Sequence, residues 1–414
     1  MSTLSVSVIV VSRGRAADLP LCLTGISQLD YPCFELVLVA DRDGMDAARA
    51  LPFYDDLKCV AFNEANISTA RNLGIAHAAG DIVAFIDDDA VPEPSWLTYL
   101  TAGFNEADVA AVGGFVIGRN GISFQWKARS VDCTGVAIPL EVDETKITAL
   151  APQDGYAIKT EGTNMALRRD VIAGMGGFDA AFRFYLDETD VNYRLTKAGH
   201  RTAISPLAQV HHGYKASATR RGDRVPTDLF EIGASTTVYL RKHAPEALRN
   251  NALRDARFEQ RKRALRHMES GAIEPNDVSR LLNSFDKGAD DGQRRALAPQ
   301  EPIPPALAGF KAFPRLFTGP HQVFSGGLRQ KGQLASQAEQ AVLAGQRASV
   351  FVFSPTARPH KMRFTHKGFW LQSGGVFGRS TRTGARFRVM TLRRRLTLEL
   401  RRLANLRDFP PKRD

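Results

Sequence analysis

The chain has 414 residues, of which 43% are hydrophobic and 24% charged, with a formal net charge of +11. This length exceeds what one core usually serves and predicts two or three domains, while the composition excludes a globally disordered, collagen-like or membrane-spanning chain. Charge divides sharply, since residues 1–214 carry 17 Lys+Arg against 27 Asp+Glu and residues 215–414 carry 38 against 17. An acidic first half suits a metal-dependent site, and a basic second half suits an anionic surface or, structurally, a solvated basic face.

In chain order, short β-rich runs alternate with helical stretches: Ser5 to Val11, Leu19 to Gln28, Phe34 to Ala40, Met45 to Leu51, Cys59 to Phe62, Ser68 to Ala79 and Asp81 to Ile86. This βαβ punctuation predicts an α/β fold with a mostly parallel sheet, ligands lying at the carboxyl ends of its strands. The run through Ile86 ends in Asp87-Asp88-Asp89, and Pro92-Glu93-Pro94-Ser95-Trp96-Leu97 reads as the start of the next helix. Beyond the sheet, Asp228 to His243 and the strongly basic Glu246 to Glu269 read as helices, and the proline-rich 286–308 as a linker or wrapped segment. A separate C-terminal α/β unit follows, with strands at His321 to Ser325 and Ala348 to Phe353 around a helix from Gln330 to Ala344. Leu392, Leu396, Leu400 and Leu403 among arginines predict an amphipathic tail helix, docked on the protein or on a membrane surface. The apolar runs, such as Val6 to Val11, fall short of the about 20 residues of a membrane span. No basic segment precedes that run as in a signal peptide, and four cysteines without CxxC spacing suit a reduced cytosolic setting.

Three consecutive carboxylates at a strand end place like charges within a few Å, which is costly unless a cation or hydrogen-bond donors offset the repulsion. Hard oxygen ligands at that position point to Mg²⁺ or Mn²⁺, which commonly carry phosphates, with a solvated acidic turn as the structural alternative. A second acidic cluster follows in Asp187-Glu188-Thr189-Asp190, at the expected start of a helix whose Val191 and Leu195 face inward.

Six ordered motifs, VSVIVVSRGR, ELVLVADRDG, NISTARNLGIAHAAGDIVAFIDDDAVPEPSWL, EGTNMALRRDVIAGMGGFDAAF, YLDETDVNYRLTKAGHR and AQVHHG, together resemble family 2 glycosyltransferases over residues 4–215. The resemblance implies a GT-A, Rossmann-like fold that binds a nucleoside-diphosphate sugar and transfers the sugar with inversion. Matched to the motifs, Asp89 is the metal ligand of a DxD-type motif, Asp88 approaches the ribose and Asp87 supports the cluster. Glu188 falls at the catalytic-base position with Asp187 second, while Asp190 reads as structural. Asp41 matches the carboxylate that contacts base and ribose, but Asp41-Arg42-Asp43-Gly44 departs from the usual DDGSTD, which leaves Asp41 and Asp43 both open. Ser12 and Arg13 lie in the loop after the first strand, and Arg71 matches a donor-site arginine. Of His211-His212, which point to opposite sides of a strand, His211 is taken as the further metal contact. Asn164 and Arg168 match the acceptor side or donor-sugar wall.

The expected organisation is a catalytic domain at 1–215, a basic helical segment at 216–285, a linker at 286–308 and a C-terminal domain at 309–414. The expected partners are a sugar-nucleotide donor, a glycan or lipid-linked acceptor in cell-surface polysaccharide synthesis and an anionic inner-membrane leaflet. A non-catalytic sugar-nucleotide- or glycan-binding protein of the same fold and a sugar-phosphate nucleotidyltransferase are the alternatives. Nucleic-acid binding is disfavoured, because no signature accompanies Phe364, Phe369 and Trp370 among the basic residues.

Overall fold

The computed structural model describes residues 3–153 and 155–409. Val6–Ser12, Phe34–Ala40 and Ile82–Asp87 are almost wholly buried, as continuous apolar runs require in a sheet covered on both faces. They form the centre of a ten-stranded sheet in which Lys58–Ala61, Phe34–Ala40, Val6–Ser12 and Ile82–Asp87 lie side by side and parallel. Met165–Arg168 runs antiparallel between Ile82–Asp87 and Val109–Ile117, and Arg201–His212 then runs parallel to Val109–Ile117. The sheet is therefore mostly parallel, and Ser12, Asp87 and His212 end their strands along one edge, as does Ala40 just before Asp41. Helices Leu19–Ile26 and Trp96–Ala102 pack on one face, while Ile67–His77 and Asp187–Lys197 help close the other.

Two local expectations are corrected. Pro92 does not open a helix, because Ala90–Pro92 is a short strand paired antiparallel with Val210–His212, and the helix begins at Trp96. The stretch 286–308 is not all linker, since the helix Pro275–Arg294 occupies its first part. That helix has an evident start, with Pro275 at its first position and the Glu274 backbone N–H donating to Asp277 Oδ2 at 3.1 Å, and a buried stripe through Val278, Leu281, Leu282 and Phe285. After Arg294, residues 296–320 carry no helix or strand and run along the sheet domain, where Phe313 stacks on Phe34 at 5.2 Å and Lys311 N–H donates to Glu35 Oε2 at 2.8 Å.

The helices Phe230–His243 and Pro275–Arg294 touch backbone to backbone at glycines. A Cβ on Gly288 would lie 1.9 Å from the Phe230 carbonyl oxygen, and one on Gly233 would lie 2.1 Å from that of Phe285. Gly288→Ala is expected to force the two helices apart and to destabilise the protein by about 1–3 kcal/mol, read as a lowered midpoint in urea. An unchanged midpoint would mean that this pair contributes little to the fold.

The C-terminal strands Gln322–Gly327, Ala348–Ser354 and Trp370–Gly375 are parallel neighbours, with Lys361–Phe364 antiparallel at the edge and helix Lys331–Leu343 packed against them. The tail helix Leu392–Leu403 docks on this unit through buried Arg395, Glu399 and Leu403, with Arg395 Nε donating to the Val376 carbonyl at 2.9 Å. This sheet is joined to the first by buried polar contacts. Gln28 Nε2 donates to the Gly368 carbonyl at 2.6 Å, and Arg407 binds Glu93 through two hydrogen bonds of 2.7 Å each.

Candidate active site

The acid triplet divides its duties because alternate side chains leave a strand end in different directions. Asp88 is turned into the fold, where Ser12 Oγ donates to its Oδ2 at 2.7 Å and Arg15 Nη1 to its Oδ1 at 2.9 Å. Burial, reinforced by repulsion from Asp89 and Asp87, pushes its carboxyl up to about 7, against the pull of Arg15 and Ser12. Asp89 Oδ2 accepts the Lys215 backbone N–H at 2.7 Å and lies 3.1 Å from Arg15 Nη1. Burial opposes its ionisation too, but the neighbouring His212, with Arg15 and the Lys215 backbone N–H behind it, holds it well below the usual carboxylate range. Asp87 is the most open of the three.

Asp87, Asp89 and His212 each offer a ligand atom, all within 4.8 Å of one another. The donor set suits a divalent ion on three counts. Asp89 Oδ1 is buried without a hydrogen-bond partner, and His212 Nε2 lies 3.2 Å from it. His212 Nδ1 is 3.2 Å from Gln125 Oε1, so an Nδ1–H donated there leaves the Nε2 lone pair turned toward the carboxylates. Two carboxylate oxygens suit either Mg²⁺ or Mn²⁺, and the added imidazole nitrogen favours Mn²⁺ of the two, Mg²⁺ being the harder ion. Here the structure corrects the choice between the histidines. His211 faces the other way, into the seam with the C-terminal sheet, with Nε2 2.8 Å from Glu93 Oε1 and its ring 4.6 Å from that of Trp370.

Arg71 joins the two acid clusters. Buried beneath the site with its guanidinium over the rings of Phe85 and Phe178, it binds Asp187 through Nη1 and lies 3.7 Å from Asp87 through Nη2. Asp187 is thereby locked, and its burial pushes its carboxyl upward against the pull of Arg71. Glu188 is the more open of the pair, its side chain 17% exposed against 4% for Asp187. Burial opposes its charge as well, but Lys159, whose Nζ donates to Oε1 at 2.6 Å, keeps it low and ionised. Lys159 also lies 3.8 Å from Glu161, which Arg129 binds in turn. Tyr185 and Leu186, just before the pair, both have left-handed backbones with φ of 74° and 63°. Such conformations cost on the order of 1–3 kcal/mol each and concentrate where a fold holds functional groups in place.

Asp41 and Asp43 separate clearly. Asp41 caps the helix Arg42–Arg49, accepting the Gly44 N–H at 2.9 Å and the Gly14 N–H at 2.7 Å, which ties together the loops after the first two strands. Asp43 is exposed on the first turn of that helix, and Arg13 is exposed with Nε donating to the Asn63 carbonyl at 3.0 Å. Asp190 is consumed by Arg194, Lys242 and His243, at 2.8, 2.7 and 2.8 Å.

Asn164 and Arg168 do not fit a substrate wall. Asn164 is fully buried, accepting from Trp96 Nε1 and donating to the carbonyls of Phe115 and Ala208. Arg168 pairs in register with Ile82, at the far end of the strand from Asp87, because its own strand runs antiparallel. Sequence reasoning missed Arg15, Lys159, Glu161 and Lys215. Arg15 was readable as a cation in the loop after the first strand, and Lys159 and Glu161 lie two residues apart, whereas nothing local marked the Lys215 backbone.

The mostly parallel sheet thus carries a carboxylate–imidazole cluster at its carboxyl edge with a second acid pair beside it, an arrangement that can hold a cation next to an ionised carboxylate. The chain belongs to the glycosyltransferase like family 2, whose profile matches residues 4–225. It is 29% identical over 231 residues to a glucosyl-dolichyl phosphate glucuronosyltransferase of Haloferax volcanii, 25% over 365 residues to an O-antigen biosynthesis protein of Myxococcus xanthus, and 32% over 188 residues to a succinoglycan biosynthesis protein of Rhizobium meliloti. These matches cover 50%, 78% and 42% of this chain, and 68%, 28% and 55% of the respective relatives. Among solved structures, a mannosyltransferase of Pyrobaculum calidifontis in complex with GDP-Man and Mn²⁺ is 16% identical with a TM-score of 0.43, over 71% of this chain and 88% of that one. The S. aureus protein TarS, residues 1–349, in complex with UDP-GlcNAc gives 16% and 0.43, over 69% and 82%.

Proposed function

We propose that this glycosyltransferase moves a sugar from a nucleoside-diphosphate sugar to a hydroxyl of a glycan or lipid-linked acceptor, with inversion and with a divalent metal ion, in the synthesis of a surface polysaccharide. The observation that carries this reading is the bridge made by Arg71, which brings a metal-ligand set and an ionised carboxylate, about a hundred residues apart in sequence, into one site. The names of the relatives, one acting on a dolichyl phosphate sugar and two in polysaccharide assembly, agree with the acceptor class. The free cysteines Cys22, Cys33, Cys59 and Cys133 agree with a cytoplasmic setting.

Asp87, Asp89 and His212 would hold Mg²⁺ or Mn²⁺, which when bound offsets the negative charge on a leaving diphosphate. The loop carrying Ser12, Arg13 and Arg15, together with Asp41, borders the same edge and serves the nucleotide. Glu188 accepts the proton of the acceptor hydroxyl as that oxygen bonds to the anomeric carbon. The bond from that carbon to the diphosphate breaks and the nucleoside diphosphate leaves with its electron pair. Asp187 and Arg71 position Glu188, and Lys159 keeps it anionic before the acceptor arrives.

Purified protein with a panel of nucleotide sugars and Mn²⁺ is expected to release nucleoside diphosphate. Asp89→Ala is expected to lower that release about 10²–10³-fold, because several kcal/mol of charge stabilisation is lost. Release of inorganic diphosphate would instead mark nucleotidyl transfer, and failure to bind any sugar nucleotide would remove the donor site from this edge of the sheet.

A further inference from the structure

Between Glu339 and Glu399 the chain has no acidic residue and twelve lysines and arginines. Some are neutralised within the fold: Arg347 by Asp30 at 3.1 Å, Lys367 by Glu339 at 2.6 Å and Arg395 by Glu399 at 3.2 Å. The stretch from Arg382 to Arg394 differs. Its Arg382, Arg386, Arg388, Arg393 and Arg394 are exposed, and none makes an ion pair among the described residues. Among them Phe387 is 57%, Val389 75% and Leu392 39% exposed.

The segment is anchored at its base. Arg388 N–H donates to the Phe377 carbonyl at 3.0 Å, Phe387 packs on Phe377 at 5.6 Å, Met390 is buried, and Thr391 caps the tail helix by accepting the Arg394 N–H. Arg393 and Arg394 fall in the first turn of that helix, which holds no acid. Cations there oppose the positive end of the helix dipole, so the helix itself gains nothing from them. Val389 and Leu392 likewise lie exposed between unpaired arginines, a mixed apolar and cationic patch of the kind that marks a surface for a partner.

We propose that Arg382 to Arg394 docks the protein on an anionic lipid bilayer, its arginines at the phosphate headgroups and Phe387, Val389 and Leu392 at the headgroup–acyl boundary. Charge complementarity favours an anionic surface, and the exposed aliphatic Val389 and Leu392, which neither stack on bases nor pair with phosphates, favour lipid over nucleic acid. The apolar face of the tail helix is occupied by the C-terminal sheet, so the contact falls to the loop before it and to its first turn. The basic helix Glu246–Glu269 is a poorer candidate, because its arginines are interspersed with acids and Arg257 is paired with Asp286.

The test is co-sedimentation of the full chain with phosphatidylcholine vesicles, with and without phosphatidylglycerol, at low and high salt. It reads binding without turnover, so it stands or falls separately from the transfer reaction. Binding is expected only to the anionic vesicles and to weaken with salt. R386Q/R388Q should lower the partition coefficient on the order of thirtyfold. F387S/V389S should lower it at every salt concentration, while R254Q/R261Q on the basic helix should leave it unchanged. No binding to anionic vesicles at low salt would overturn the proposal, as would full binding by the loop variants. Equal binding to an acidic polysaccharide or RNA, insensitive to F387S/V389S, would replace the lipid with a polyanion and overturn it as well.

Discussion

Glu188→Gln is expected to lower sugar transfer about 10²–10⁴-fold, the range for losing a positioned general base, while leaving donor affinity near that of the parent protein. The expectation rests on the asymmetry of the acid pair. Asp187 is enclosed and bonded to Arg71, whereas Glu188 reaches the open side and is bonded to the Lys159 ammonium at 2.6 Å. Asp187→Asn should behave differently, because it leaves the buried Arg71 guanidinium short of a counter-charge and so costs stability along with activity. Single-turnover transfer measured beside donor binding separates the two. Near-full transfer by Glu188→Gln, with transfer lost in a stably folded Asp187→Asn, would move the base to Asp187.

Arg407→Met is expected to cost about 3–5 kcal/mol of stability, because it strands a buried carboxylate. Arg407 and Glu93 are 1% and 0% exposed, and Arg407 also lies over the Trp370 ring at 4.2 Å and donates to Ser349 Oγ. Burial resists the charge on Glu93, yet Arg407 and His211 hold its carboxyl down to about 2. A depressed acid stabilises the fold fully above its unfolded value near 4.5, and that contribution is lost as pH falls toward 2. The gap between the parent protein and Arg407→Met should therefore be widest at neutral pH and close in acid. Denaturant midpoints across that range check it, and a gap constant with pH would show that the charge on Glu93 is not what Arg407 stabilises. E93Q/R407M, which removes both charges, should recover much of the loss.

The sequence alone determined what depends on local pattern. Continuous apolar runs between turn residues specify a buried parallel sheet, and a triple acid at a strand end and a second acid pair at a helix start mark where charge must be balanced. The ordered motifs pointed to Asp89, Glu188 and Arg71 for the same reason, and the fold brings the segments that carry them together. Tertiary structure decided every matter of direction and long-range pairing. Strand alternation allowed either histidine to face the acids, and only the pairing of Val210–His212 with Ala90–Pro92 turns His212 to Asp89 and His211 to Glu93. Composition read 286–294 as linker, where packing against Phe230–His243 makes it helix. The antiparallel insertion of Met165–Arg168 carried Arg168 to the wrong end of the sheet for substrate. The Glu93–Arg407 pair spans 314 positions, and no local pattern encodes a partner at that distance. It forms because a buried carboxylate needs a cation, and only the folded chain brings one to it.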